Sequence, residues 1–216
     1  MAARAPDARP ARAGVVVLLA VAIGAFGLVA LVHEATRDDI AASAQARRLA
    51  RFQEVLQGQR FDNDLLADVV HVRDAELLGT PETLLAWRAR RDGNAVAVVL
   101  EAVAPSGYSG PIRLLVGIAP EGRVLGVRVL EHRETPGLGD AIEAGRSGWI
   151  ERFAGRSLRD PAASRWRVKK DGGAFDQFTG ATITPRAVVG AVANALRYFE
   201  AHRDELLAAP ATMPSP

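Results

Sequence analysis

The stretch that decides the fold is residues 84–130, LLAWRARRDGNAVAVVLEAVAPSGYSGPIRLLVGIAPEGRVLGVRVL. It contains four strand-like apolar runs, at 84–90, 95–103, 112–118 and 124–130. Asp92-Gly93-Asn94 separates the first pair and Pro120-Glu121-Gly122 the last pair. Both separators are turn chemistry of the hairpin kind, so the runs are predicted to pair in sequence as an antiparallel meander.

Helical patterns lie on either side of this core. Residues 141–153 place Ile142, Trp149, Ile150 and Phe153 on one side. A last helix is expected from about 185 to 207, with Thr184 as N-cap and Pro185 at the first helical position. Upstream, residues 38–57 have the helical repeat, with Leu49, Phe52, Val55 and Leu56 on one side and Asp38 and Asp39 at the positive N-terminal end. The expected class is therefore α+β: an N-terminal transmembrane helix, then one small domain with an antiparallel sheet and flanking helices. The boundaries read as 1–12 for a cytoplasmic N-terminus and 13–32 for the membrane helix. A membrane-proximal helical region at 33–80, the domain proper at 81–207 and a loose tail at 208–216 follow.

The membrane expectation rests on residues 13–32, twenty positions without a charge. As a helix they reach about 30 Å, the thickness of a hydrocarbon core. Arg4, Arg9 and Arg12 precede them against Asp7 alone, while Glu34, Arg37, Asp38 and Asp39 follow. The positive-inside bias puts the N-terminus in the cytoplasm and the rest outside. A cleaved signal fits less well, because its apolar core would be about 7–15 residues and would lead directly to a small-residue cleavage site. Ala42-Ser43-Ala44 lies well beyond. The simplest host is a bacterium, with a single pass through the inner membrane and the main domain in the periplasm.

Composition narrows the chemistry. The 216 residues are 49% hydrophobic and 24% charged, which excludes a mainly disordered chain and a polytopic membrane protein. Net charge is +2, from 27 basic and 25 acidic residues. Arginines scattered among acids form no nucleic-acid stripe, so no nucleic-acid partner is expected. Cysteine is absent, removing disulfides, thiolate metal sites, iron–sulfur ligation and cysteine nucleophiles together. With four scattered histidines, no metal site and no catalytic residue is assigned.

Two glycine-bearing loops remain. The first, at 132–140, runs His-Arg-Glu-Thr-Pro-Gly-Leu-Gly-Asp directly after a strand. Gly137 and Gly139 beside Pro136 make a tight turn whose backbone can approach a flat ligand, or simply a strand-to-helix connection. It contains neither GxxxxGK[ST] nor GxGxxG. The second, at 176–185, runs Asp-Gln-Phe-Thr-Gly-Ala-Thr-Ile-Thr-Pro just before a helix. A phosphate near Thr182 would sit in the field of the helix N-terminus; equally, the loop could be only a helix cap.

The second loop resembles the flavinylation motif Asp-x-x-[Ser/Thr]-Gly-Ala-Thr. That motif belongs to the FMN-binding domain of the Rnf and sodium-pumping NADH:quinone oxidoreductase families. Glu134-Thr135-Pro136-Gly137-Leu138-Gly139 is similar to the other signature of that domain. With one N-terminal anchor and the extension through Ile183-Thr184-Pro185, the chain resembles the RnfG family of Rnf electron-transport complexes over nearly its whole length. The resemblance implies FMN bound covalently, through a phosphoester to Thr182. It implies that Asp176, Thr179, Gly180 and Ala181 serve as recognition tag and flavin site, and that Glu134, Thr135, Pro136, Gly137, Leu138 and Gly139 line the isoalloxazine ring. An unactivated threonine is a poor nucleophile and only Asp176 offers a nearby base; the resemblance implies attachment by a separate flavin transferase that uses FAD and Mg²⁺. The implied role is an electron relay in a ferredoxin:NAD-type, ion-translocating complex, with the complex's membrane and peripheral subunits as partners and no complete active site in this chain. The alternatives are the corresponding flavin-bearing component of a sodium-pumping NADH:quinone oxidoreductase, a cofactor-free periplasmic interaction module, and a stand-alone flavin reductase.

Overall fold

The computed structural model describes residues 18–19, 21–22, 24–27, 33 and 50–208. The chain divides into two units, 1–49 and 50–216. In the first, every described position is α-helical and exposed, including Leu18, Leu19, Val21 and Phe26. The remaining positions of the expected span at 13–32, and the first part of the expected helix at 38–57, lie outside the described residues. Among the described residues no helix is long and apolar enough to cross a membrane.

The second unit is built on five antiparallel strands in sequential order: β1 (Val69–Asp74), β2 (Thr80–Arg91), β3 (Asn94–Ala104), β4 (Ile112–Ile118) and β5 (Val124–Glu131). The meander expected from 84–130 is β2 to β5. β1 is an addition, inside a region expected to be helical. Only Val72 of its six residues is buried, and His71 and Arg73 face solvent, so its apolar signal is weak. Tertiary pairing supplies what the pattern lacks. Asp68, just before the strand, accepts Arg88 Nε and Arg90 Nε of β2 at 2.6 and 2.5 Å.

Apolar residues fill both faces of the sheet, and strand alternation sorts them. Val98, Leu100, Leu114 and Val116 face the C-terminal helix (Ile183–Ala201), meeting Val188, Val192, Leu196 and Phe199. Val99, Leu115 and Trp87 face the other way, against Phe52, Val55 and Leu56 of the helical residues 50–56. Phe52 packs on Trp87 with ring centroids 4.8 Å apart. Gly117 and Gly126 are cross-strand partners beneath Val55. A Cβ on Gly117 would lie 2.6 Å from the Val55 carbonyl oxygen, and one on Gly126 2.8 Å from it, so only glycine lets the helix backbone approach so closely.

Two helical expectations are corrected. Residues 141–153 are not one helix but two short 3-10 turns, Gly139–Ile142 and Ile150–Phe153. The intervening Ser147 hydroxyl donates to the Ala141 carbonyl at 2.6 Å and accepts the Trp149 N–H at 3.1 Å, which offers the backbone an alternative to helix. Ile142, Trp149, Ile150 and Phe153 are buried all the same. The C-terminal helix starts at Ile183, two residues before the expected start, and ends at Ala201; a separate short helix, Arg203–Leu207, follows.

Candidate functional site

β5 delivers the chain into the first loop, where Glu134 is buried, 4% exposed. Its carboxylate accepts the Ser109 N–H at 3.0 Å and the Tyr108 N–H at 3.3 Å, and the Thr184 hydroxyl donates to it. One side chain thus joins three segments: the turn between β3 and β4, its own loop, and the first turn of the C-terminal helix. Glycine makes room for it. A Cβ on Gly139 would lie 2.8 Å from Glu134 Cβ and 3.0 Å from Thr184 Oγ1. The loop is closed by the Thr135 carbonyl, which accepts Leu138 N–H at 3.1 Å and Gly139 N–H at 3.0 Å, with Gly137 at φ +78°. His132 Nδ1 accepts the Glu134 N–H at 3.0 Å, so Nε2 carries the hydrogen donated to Glu143 at 2.6 Å.

The second loop is anchored by aromatic packing. Trp149 Nε1 donates to the Asp176 carbonyl at 2.8 Å, and the Trp149 ring meets Phe178 edge-on at 5.1 Å. The chain turns at Gly180, φ +81°, where Ala181 N–H bonds the Phe178 carbonyl at 3.2 Å. Thr182 then occupies the N-cap position, with φ −87°, ψ −27° and no side-chain capping bond. Thr184, expected as the cap, lies inside the helix and spends its hydroxyl on Glu134. That partner is fifty residues away in sequence, which is why the local pattern pointed elsewhere. Pro185 in the first turn forfeits no intrahelical bond, since first-turn amides have no helical acceptor.

The two loops meet at a cleft of about 290 Å³. Glu134, Thr135, Leu138 and Gly139 line it from the first loop, and Gly180, Ala181 and Thr182 from the second. Thr182 is half-buried there. Pro136, Gly137 and Thr179 are exposed and are not among the lining residues. Asp176 is not brought to this cleft; it lines a separate, open one of about 560 Å³. There it pairs with Arg152 and, at 2.5 Å, with Lys169 Nζ. The sequence reading missed Tyr108, 68% exposed at the cleft. Within 50–208 the exposed large apolar side chains are Tyr108, Leu138 and Ile183, and all three line this cleft. An aromatic inside the Gly-rich turn 106–111 was the available signal. Below the cleft, Arg186 in the first helical turns holds Asp171 bidentately at 2.6 and 2.9 Å. This hydrogen bond keeps the Asp171 carboxyl below its ordinary range. Among the described residues no cluster of His, Cys, Asp and Glu gathers to hold a metal.

Comparison with known proteins finds two family models that match this chain. The model of the FMN-binding domain matches residues 107–197, which span every residue of the cleft, and that of the RnfG N-terminal region matches residues 1–55. The chain is 52% identical over 187 residues to the G component of the ion-translocating oxidoreductase complex of Pseudomonas aeruginosa, covering 87% of each. It is 49% identical over 191 residues to the protein of that name in Cereibacter sphaeroides, covering 86% of this chain and 85% of the relative. The Shewanella piezotolerans protein is 45% identical over 186 residues, 86% of this chain and 88% of its own.

Proposed function

Because this chain belongs to the RnfG family of ion-translocating oxidoreductase complexes, we propose that it carries FMN through a phosphoester to Thr182 and serves as an electron-carrier subunit of such a complex. The observation that carries the reading is the meeting of two loops, far apart in sequence, in one cleft with Thr182 in its wall.

The residues present fit the cofactor. Thr182 spends no hydroxyl on capping, so its oxygen is available for an ester. The helix beginning at Ile183 offers first-turn amides and its positive end to a phosphate. Tyr108, Leu138 and Ile183 supply apolar and aromatic surface for a flat ring system. At about 290 Å³ the cleft is at the lower end of ligand pockets, roughly 300–1,000 Å³, and so is sized for part of a mononucleotide.

Bound FMN supplies one- and two-electron transfer; the protein supplies position and electrostatics. Glu134 fixes the loops to each other and to the first helical turn. Asp176, held by Arg152 and Lys169, sets the start of the acceptor loop. Thr182 Oγ1 would hold the flavin phosphate as a phosphoester; the Mg²⁺-dependent transferase would supply that phosphate from FAD, with AMP as leaving group and the hydroxyl proton passing to the transferase. The complex's other subunits are the electron partners. Residues 13–32 anchor the chain in the bacterial inner membrane with the folded unit in the periplasm, a reading supported by the arginines before that segment and the exposed apolar side chains within it. A cofactor-free interaction module leaves the cleft without a purpose.

The test is Thr182→Ala, expressed with the transferase and exported. It should lose the FMN mass increment and the fluorescence of the denatured band. Its stability should stay within about 1 kcal/mol, since no capping bond is lost. A variant that still carries the increment places the acceptor elsewhere.

A further inference from the structure

The Thr182 cleft lacks the cations that a site for free phosphate has. Ten residues line it and none is Lys, Arg or His; its one charged group is the Glu134 carboxylate. That carboxylate is 4% exposed and accepts from the Tyr108 N–H, the Ser109 N–H and the Thr184 hydroxyl. A carboxylate that only accepts carries a full negative charge. Among the described residues it has no ion-pair partner. Of the neighbouring basic residues, His132 is bound to Glu143 at 2.6 Å and Arg146 to Asp140 at 3.5 Å. Arg186, in the first turns of the helix that begins at Ile183, is held by Asp171. Arg133 is exposed and lies outside the lining.

That helix offsets the Glu134 charge only in part. Its positive end is equivalent to roughly half an elementary charge. Glu134 brings a whole negative one and already takes the Thr184 hydroxyl of the first turn. The surplus at the cleft is therefore negative. A free flavin phosphate is a monoester, with about −1.5 to −2 charge at pH 7. An ester to Thr182 makes it a diester, which keeps a single charge as in a nucleic-acid backbone. The rest of the wall suits an uncharged ring, with Tyr108, Leu138 and Ile183 as exposed aromatic and apolar surface. Cations gather instead at the separate Asp176 cleft, where Arg152, Arg156 and Lys169 stand.

Resting on the reading that Thr182 is the flavin acceptor, we propose that Glu134 is a specificity-determining residue of this cleft. Its buried charge turns away free flavin phosphate, so the cleft takes a flavin that has no phosphate or one whose phosphate is esterified to Thr182. Like charges in a partly desolvated site repel more strongly than in water, which weakens capture from solution. The repulsion matters little once the ester exists. Charge has been lost from the phosphate, and docking of the ring has become intramolecular, at a roughly millimolar effective concentration. The consequence is an acceptor hydroxyl that free FMN does not cover before loading.

The test titrates the full-length protein in detergent, made without the transferase, with riboflavin and with FMN by calorimetry. Binding that persists after covalent loading lies outside the cleft and is subtracted. Riboflavin should bind about tenfold or more tighter than FMN. Added salt should tighten FMN and leave riboflavin unchanged. Glu134→Gln should bring the two affinities together. Thr135→Lys should do the same with Glu134 in place; it adds a cation at an exposed lining residue whose side chain makes no hydrogen bond among the described residues. FMN binding to wild type as tightly as riboflavin, FMN binding weakened by salt, or no riboflavin binding overturns the proposal, while loading of the same protein by transferase and FAD leaves Thr182 as acceptor. An affinity ratio unchanged in both variants overturns it too. A wild-type protein that the transferase cannot load overturns the reading of Thr182 and this proposal with it.

Discussion

Replacing Glu134 by alanine removes one carboxylate and leaves three donors without their acceptor: the N–H groups of Tyr108 and Ser109 and the Thr184 hydroxyl. Hydrogen bonds to a charged group each contribute roughly 1.5–3 kcal/mol, and the two amides can recover water because Tyr108 is exposed. The Thr184 hydroxyl, on a residue 1% exposed, recovers little. The net cost is about 3–5 kcal/mol. For a folded unit of this size, each kcal/mol moves the melting temperature by roughly 2–4 °C, so the shift is about 6–20 °C downward. Glu134→Gln should cost less, about 1–2 kcal/mol, because its amide oxygen can hold Ser109 while its NH₂ donates to a reoriented Thr184 hydroxyl. Thermal unfolding of the full-length protein followed by circular dichroism gives the ranking. A cycle with Thr184→Val adds a second check: the double variant should cost less than the two single changes together, because they share one bond. Melting of Glu134→Ala within about 2 °C of wild type, or additive costs in that cycle, would refute the role assigned to Glu134.

Gly117→Ala would push a Cβ to 2.6 Å from the Val55 carbonyl oxygen, so the helical residues 50–56 must shift; the expected cost is about 1–3 kcal/mol, and an unchanged urea midpoint would contradict it. For the Asp171–Arg186 pair, the Asp171 carboxyl is lowered by Arg186, so its contribution is present above the ordinary value of 3.8 and is lost as pH falls through the lowered folded value. The melting-temperature gap between wild type and Asp171→Asn should therefore close on acidification, and a gap that widens would invert the sign. A reporter fused after Leu207 should be active only if it is one that requires export; activity of a cytoplasm-only reporter there would reverse the topology.

What the sequence determined by itself is what local chemistry encodes. Alternating apolar runs with Gly- and Asn-bearing turns between them specify β2 to β5, because period two and hairpin turns act over a few residues. The string at 176–185 likewise carries its own motif, since the residue types and their order suffice to recognise it. Tertiary structure decided whatever depends on partners distant along the chain. β1 is a strand because Asp68 and β2 hold it, not because its own pattern is strong. Residues 143–149 leave the helix because Ser147 takes over backbone bonds that the apolar spacing had assigned to it. Thr184 is a tie rather than a cap because Glu134 reaches it from fifty residues away. The pattern of 176–182 named its residues alike, yet the fold divides them, turning Thr182 into the cleft and Asp176 out toward Arg152 and Lys169. Spacing along a loop fixes identity and order; the direction each side chain takes is set by which distant charge, hydroxyl or aromatic ring satisfies it.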